Sequence, residues 1–118
     1  MPRYAILRHD DPRGLHWDLL LETGETLSTW SLPQPPEPGA AMTCRALPDH
    51  RLDYLQYEGP VSGDRGSVVR WDHGTYELVS RSDSEWIVEL AGEKLVGRAT
   101  LERSAEGPQL WRLSFSGR

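Results

Sequence analysis

The sequence has a single cysteine among its 118 residues, Cys44, so no internal disulfide can form and a reducing compartment is expected, with the cytoplasm as the default location. It has no uncharged apolar run longer than a few residues, which excludes a membrane-spanning helix. Its opening residues, MPRYAILRHDD, lack a basic stretch followed by a long apolar one and do not read as a secretory leader. Positive charge is also scarce. With 13 Lys and Arg against 18 Asp and Glu the net charge is −5, so no overall basic field draws the protein onto nucleic acid, and only a local basic patch could do so. Repeats and low-complexity tails are missing too. What the chain does have is turn residues, 9 Pro and 11 Gly, which favour many short elements. One domain over residues 1–118 suits this length, with a core large enough to need no staple.

Most of the chain divides into short apolar-alternating runs bounded by turn residues. The expected strands are Arg3–His9, His16–Glu22, Thr26–Leu32, Ala41–Leu47, Ser67–Asp72, Thr75–Ser80, Trp86–Leu90, Gly97–Arg103 and Leu110–Phe115. The second and third are joined through Gly24 as a hairpin. PQPPEPG is too rich in proline for strand or helix and reads as an extended connector. Arg51–Tyr57 fits either one helical turn or an extended loop, and Gly59–Gly66 reads as a loop. WDHGTY reads as a turn between two strands, with His73 a turn residue. No segment carries a long 3.6-residue apolar period, so the expected fold is all-β: a single compact, largely antiparallel β-barrel with little helix. The five Trp fall in different strands and are expected to pack the core or its ends, and Cys44 to be a small strand residue.

The histidines carry the chemistry. His16 and Asp18 are two apart in an expected strand, so they share a face with Leu20 and Glu22, while Trp17, Leu19 and Leu21 take the other. His9 ends the preceding strand, and pairing of the two strands would bring it beside His16. Two imidazoles and a carboxylate can hold Mn²⁺, Zn²⁺ or Fe²⁺ with positions left for water or substrate. The same spacing also arises from two exposed histidines and an unrelated aspartate, because H-x-D alone is a weak pattern. His50 stands among Asp49, Asp53, Tyr54 and Glu58, where a histidine can bind phosphate, deliver a proton, or cap a local turn.

Three separated stretches extend these readings: AILRHDDPRGLHWDLLLE, DHRLDYLQYEGPVSGDRGSVVRWDHGTYE and LAGEKLVGRATL. In order and spacing they resemble the 3′-phosphoesterase domain of bacterial DNA ligase D and its stand-alone relatives. The resemblance implies a compact β-barrel with a concave site, Mn²⁺ held by His9, His16 and Asp18, and phosphate engaged by His50 and Tyr54. It implies as substrates DNA 3′ ends bearing a phosphate or a ribonucleotide, as on a primer-template, with a separate ligase or polymerase as partner. A divalent metal is the implied cofactor, Mn first and Zn second, and a monomer the expected state.

The sequence departs from the family's pattern at the phosphate clamp. Leu20 stands where the family has an arginine, a second family arginine falls near Met42, Arg65 is nearest to a loop tyrosine, and the turn between His9 and His16 is one residue longer. Guanidinium forks are strong bidentate phosphate binders. Arg13, Arg45 and Arg65 are the candidate replacements, and Leu20→Arg is expected to raise phosphoesterase activity if the guanidinium has room. Two other classes fit parts of the pattern. His16, Asp18 and His50 match the facial triad of a non-haem iron oxygenase. The acidic balance and missing arginine suit a non-catalytic module that binds 3′ ends or a protein partner.

Overall fold

The computed structural model describes residues 1–118. The chain forms nine strands: β1 (Arg3–Asp11), β2 (Gly14–Thr23), β3 (Thr26–Leu32), β4 (Ala41–Arg51), β5 (Gly59–Pro60), β6 (Ser67–Arg81), β7 (Glu85–Gly92), β8 (Val96–Arg103) and β9 (Leu110–Gly117). They make one antiparallel sheet in the order β1-β2-β3-β4-β9-β8-β7-β6-β5. β1 pairs with β2 on one side and with β6 on the other, so eight strands close into a ring and β5 adds a short edge. The only helical element is a 3₁₀ turn at Leu52–Leu55, which decides between the two readings open for Arg51–Tyr57. No helix is long and apolar enough to cross a membrane.

Burial follows the period-two geometry of strands. In β7, Trp86, Val88 and Leu90 are buried while Glu85, Ile87 and Glu89 are not. β1 and β2 break the alternation, with Tyr4–Leu7 and Asp18–Leu21 buried as continuous runs. Both of their faces are covered. A main core of 18 residues draws on all eight ring strands and includes Tyr4, Ile6, Leu19, Leu21 and Trp30, so it fills the interior. A second cluster of seven, Ala5, Leu7, Leu20, Leu27, Leu55, Val61 and Val68, lies on the opposite face under the 3₁₀ turn and the loop after it. Trp17 packs against the interior core, and Leu20 belongs to the outer cluster. Trp30 meets Trp86 and Trp111 edge to face at 5.3 and 5.7 Å between centroids, the arrangement aromatic quadrupoles favour.

β6 corrects one expectation. Ser67–Asp72 and Thr75–Ser80 are one continuous strand, and His73 is mid-strand opposite Ala5 rather than in a turn. Its register steps from Ile6↔Asp72 to Leu7↔Arg70, which leaves Trp71 as the extra residue of a β-bulge. Long-range contacts override the turn chemistry of Asp-x-Gly here. The buried Asp72 carboxylate accepts from Tyr4 Oη at 2.6 Å and from the backbone N–H groups of Lys94 and Leu95 at 2.8 and 3.1 Å. Gly74 presses on the neighbouring strand so closely that a Cβ would stand 2.1 Å from the Ala91 carbonyl oxygen. The W-D-x-G and G-E-K-L stretches are thus joined to each other as structure, away from His9, His16 and His50.

Candidate active site

The β1–β2 hairpin sets the first part of the site. A two-residue turn, Pro12–Arg13, lies between the paired Asp11 and Gly14, and Gly14 has the positive φ of +142° that suits a residue without Cβ. Counting back from this turn puts His9 directly opposite His16, with ring centroids 4.5 Å apart. The longer turn therefore keeps the two imidazoles in register. Asp18, paired with Leu7, points to the same face and is 3% exposed.

The ligand atoms of His9, His16 and Asp18 all lie within 4.8 Å of one another. His9 Nε2–H donates to the Arg65 carbonyl oxygen at 2.6 Å, which turns Nδ1 toward Asp18 Oδ2 at 3.2 Å. In neutral His9 those two facing atoms are both lone-pair bearers, an arrangement that calls for a proton or cation between them. His16 Nε2 is 3.1 Å from Asp18 Oδ1, and this contact and the carboxylate's charge raise the imidazole's pKa against the opposing effect of burial. The ring's N–H is poorly aligned with the oxygen, and Asp18 Oδ1 remains a buried acceptor with no hydrogen-bond donor. Two nitrogens, a buried carboxylate and an orphaned oxygen fit a divalent cation.

The rest of the site comes from β4. Ser31 pairs with Arg45 and Thr29 with Leu47, but Leu27 pairs with His50, so β4 holds one residue more than β3 over this stretch. The extra residue falls at Pro48–Asp49, where a proline is tolerated because a bulge interrupts the ladder. Strict alternation would send position 50 to the interior. The bulge returns His50 to the outer face, the face of His9, His16 and Asp18. His50 Nδ1–H donates to the Pro48 carbonyl at 3.0 Å, which leaves Nε2 as its free ring nitrogen. Tyr54, on the 3₁₀ turn, meets His50 edge to face at 5.6 Å.

All eight residues singled out in the sequence, His9, Arg13, His16, Asp18, Arg45, His50, Tyr54 and Arg65, line one cleft of about 650 Å³. Leu7, Val61 and Val68 give it an apolar floor. Three of the cleft's four arginines are engaged, and Arg51 is the fourth. Arg13 Nε and Nη2 donate to the two oxygens of Asp11, both at 3.3 Å, and its backbone N–H donates to Oδ1 at 2.9 Å. These contacts hold the Asp11 carboxyl down at about 2. Arg65 Nε donates to the Ser62 carbonyl at 2.7 Å, and Arg45 Nη1 to Gln109 at 3.4 Å.

Two expectations about the clamp change. Leu20 shares the face of Asp18, but it is sealed at 0% exposure among Leu7, Leu27 and Leu55, so the room that Leu20→Arg requires is absent. Met42 faces the interior core, on the far side of the sheet from the cleft, and Arg45 is the β4 guanidinium that reaches it. The three-residue cluster uses His9, and His50 is outside it, which removes the geometric basis for an oxygenase triad of His16, Asp18 and His50. Sequence reasoning missed Asp11, Ser31, Arg51 and Ser62 as cleft residues. Asp11 was the one with a signal, since D-P-R is an aspartate positioned to bond its own turn.

The fold and site define a class, a closed antiparallel ring that carries a two-histidine, one-carboxylate cluster in a cleft on its outer face, and comparison shows its family. The DNA ligase D 3′-phosphoesterase domain matches residues 7–103, and the chain belongs to that family. It is 33% identical to the multifunctional non-homologous end joining protein LigD of Pseudomonas aeruginosa, over 86% of this chain and 13% of that protein. It is 32% identical to the multifunctional non-homologous end joining DNA repair protein LigD of Mycobacterium tuberculosis, over 84% of this chain and 14% of that protein. With the LigD protein of Mycolicibacterium smegmatis the identity is 33%, over 81% and 15%. The chain thus spans about a seventh of the length of these relatives.

Proposed function

We propose that this domain is a metal-dependent phosphoesterase that acts on the 3′ ends of DNA in end repair, removing a 3′-phosphate or a 3′-ribonucleotide. The observation that carries this reading is the buried Asp18 carboxylate between two imidazoles, its Oδ1 without a hydrogen-bond donor, in the same cleft as His50, Tyr54 and Arg65. Membership of the 3′-phosphoesterase family and the end-joining role named for the LigD relatives support it.

His9 Nδ1, His16 and Asp18 would hold the divalent ion, Mn²⁺ by family resemblance and Zn²⁺ by the donor set. When bound, such an ion polarises a phosphoryl oxygen and lowers the pKa of a water. His50, fixed through Nδ1 by the Pro48 carbonyl, presents Nε2 to bind a phosphoryl oxygen or to protonate the leaving oxygen. Tyr54 donates a hydrogen bond to the phosphate. Arg65, Arg45 and Arg13 supply positive charge around it, and the apolar floor limits water beneath it.

One observation favours a second reading, a module that binds 3′ ends without turning them over. Three of the four cleft arginines, Arg13, Arg45 and Arg65, are bonded to protein acceptors, and the arginine position at Leu20 is filled by hydrocarbon. Purified protein incubated with Mn²⁺ and primer-templates ending in a 3′-phosphate or 3′-ribonucleotide separates the two. Conversion to a 3′-hydroxyl that is lost in His50→Ala supports catalysis, and tight end-binding without conversion supports the module.

A further inference from the structure

Resting on the reading of His9, His16 and Asp18 as a metal site, we propose that the loop Val61–Gly66 is a positioning element for that site. In it the backbone carbonyl of Arg65 fixes the tautomer and orientation of His9, and Gly66 is the residue that lets this carbonyl reach the ring.

An imidazole offers its lone pair from whichever nitrogen its other hydrogen bond leaves free. A carbonyl can only accept, so the 2.6 Å contact to Arg65 places the proton of His9 on Nε2 and the lone pair on Nδ1. Nδ1 is the atom that faces Asp18. The next acceptor near Nε2 is Asp11 Oδ2 at 3.8 Å, beyond hydrogen-bond reach, so no other group in place substitutes for the carbonyl. The carbonyl's position depends on how closely the loop sits on β1. At Gly66, where φ is +77°, a Cβ would stand 1.8 Å from the Asp10 carbonyl oxygen and 2.8 Å from its carbon. Those are backbone atoms of the residue next to His9, and they have no flexible end to move aside. Any side chain at position 66 lifts the loop off β1 and takes the Arg65 carbonyl with it. The docked loop is closed by the Val61 N–H bond to Gly66 O at 2.8 Å and braced by Arg65 Nε–H on the Ser62 carbonyl. The same loop carries Ser62 and the Arg65 side chain into the cleft. Metal binding and loop docking are therefore coupled, and by linkage each favours the other by the same factor.

Calorimetric titration with Mn²⁺ alone, on the full chain, tests the first half. Hydrogen bonds that orient a metal-bound histidine are worth roughly 10–100-fold in affinity, so Gly66→Ala is expected to bind Mn²⁺ at least about tenfold more weakly than wild type. Gly63→Ala, in the same loop and at a similar φ of +74°, places its Cβ 3.8 Å from Arg65 Nε and against no backbone atom, and it is expected to retain wild-type Mn²⁺ affinity. Limited trypsin digestion, following by mass spectrometry the cut after the exposed Arg65, tests the second half. Saturating Mn²⁺ slows this cut in wild type and leaves it unchanged in His16→Ala. If Gly66→Ala does not fold, the trypsin comparison decides. Wild type that binds no Mn²⁺ refutes the metal reading itself. Wild type that binds Mn²⁺, with Gly66→Ala equal to it or with the Arg65 cut indifferent to the metal, overturns this inference alone.

Discussion

Leu20→Arg is the substitution on which family resemblance and packing disagree most sharply. The family pattern has an arginine there, yet Leu20 is 0% exposed and surrounded by Ala5, Leu7, Leu27, Leu55, Val61 and Val68. A guanidinium in that cluster is an unpaired buried charge, which destabilises a fold by about 3–5 kcal/mol. At this chain length each kcal/mol lowers Tm by roughly 3–6 °C, so the expected fall is on the order of 10–30 °C. Leu20→Met conserves volume and should cost under about 1.5 kcal/mol, which separates charge from shape. The carboxylate nearest along the same strand face is Asp18, two residues away. An arginine that escapes burial would pair with Asp18 and take the oxygen meant for a cation. Thermal melts of the three proteins by circular dichroism, with Mn²⁺ titrations beside them, give both readouts. A Leu20→Arg protein that melts with wild type and binds Mn²⁺ undiminished would show that the outer cluster opens readily and that the arginine seat is intact.

Tyr4→Phe removes the donor from the 2.6 Å bond to the buried Asp72 carboxylate, and hydrogen bonds to charged groups are worth about 1.5–3 kcal/mol. A fall of that size in urea unfolding free energy is expected, with Mn²⁺ affinity unchanged because the bond lies away from the cleft. Burial pushes the Cys44 thiol up to about 12, so it should resist a thiol reagent at pH 8 in the native protein and react once in denaturant. For Asp11, held at about 2 against an ordinary 3.8, the folded pKa is depressed. Its stabilising effect is present in full above the ordinary value and is lost as pH falls toward 2. Carboxyl NMR titration of the metal-free protein should show that midpoint, and Arg13→Ala should return it toward the ordinary value.

Much of this arrangement could be read from the residues. Period-two alternation located nearly all the strands, and the spacing of His16 and Asp18 put them on one face, because strand geometry is local. The hairpin register of His9 followed from the length of its turn. The features that escaped depend on contacts distant in sequence. Asp72, His73 and Gly74 look like a turn until Tyr4 and the Lys94–Leu95 amides claim the carboxylate. The bulge at Pro48–Asp49 reverses the face of His50, and only its pairing with Leu27 reveals it. Leu20 looked like a cleft residue because alternation gives a face and says nothing of what covers it. The acceptor for His9 is a backbone carbonyl, which any residue at position 65 would supply, so no side-chain pattern marks it.

The central claim is that the His9–His16–Asp18 cluster makes this cleft a metal-dependent 3′-end phosphoesterase. Its most direct test is a 5′-labelled primer-template ending in a 3′-phosphate, resolved on a denaturing gel after incubation with Mn²⁺-loaded protein. The expected result is conversion to the 3′-hydroxyl, abolished by EDTA and by His16→Ala in a protein that still melts like wild type. No conversion by the loaded protein, or conversion that survives both EDTA and His16→Ala, would contradict it.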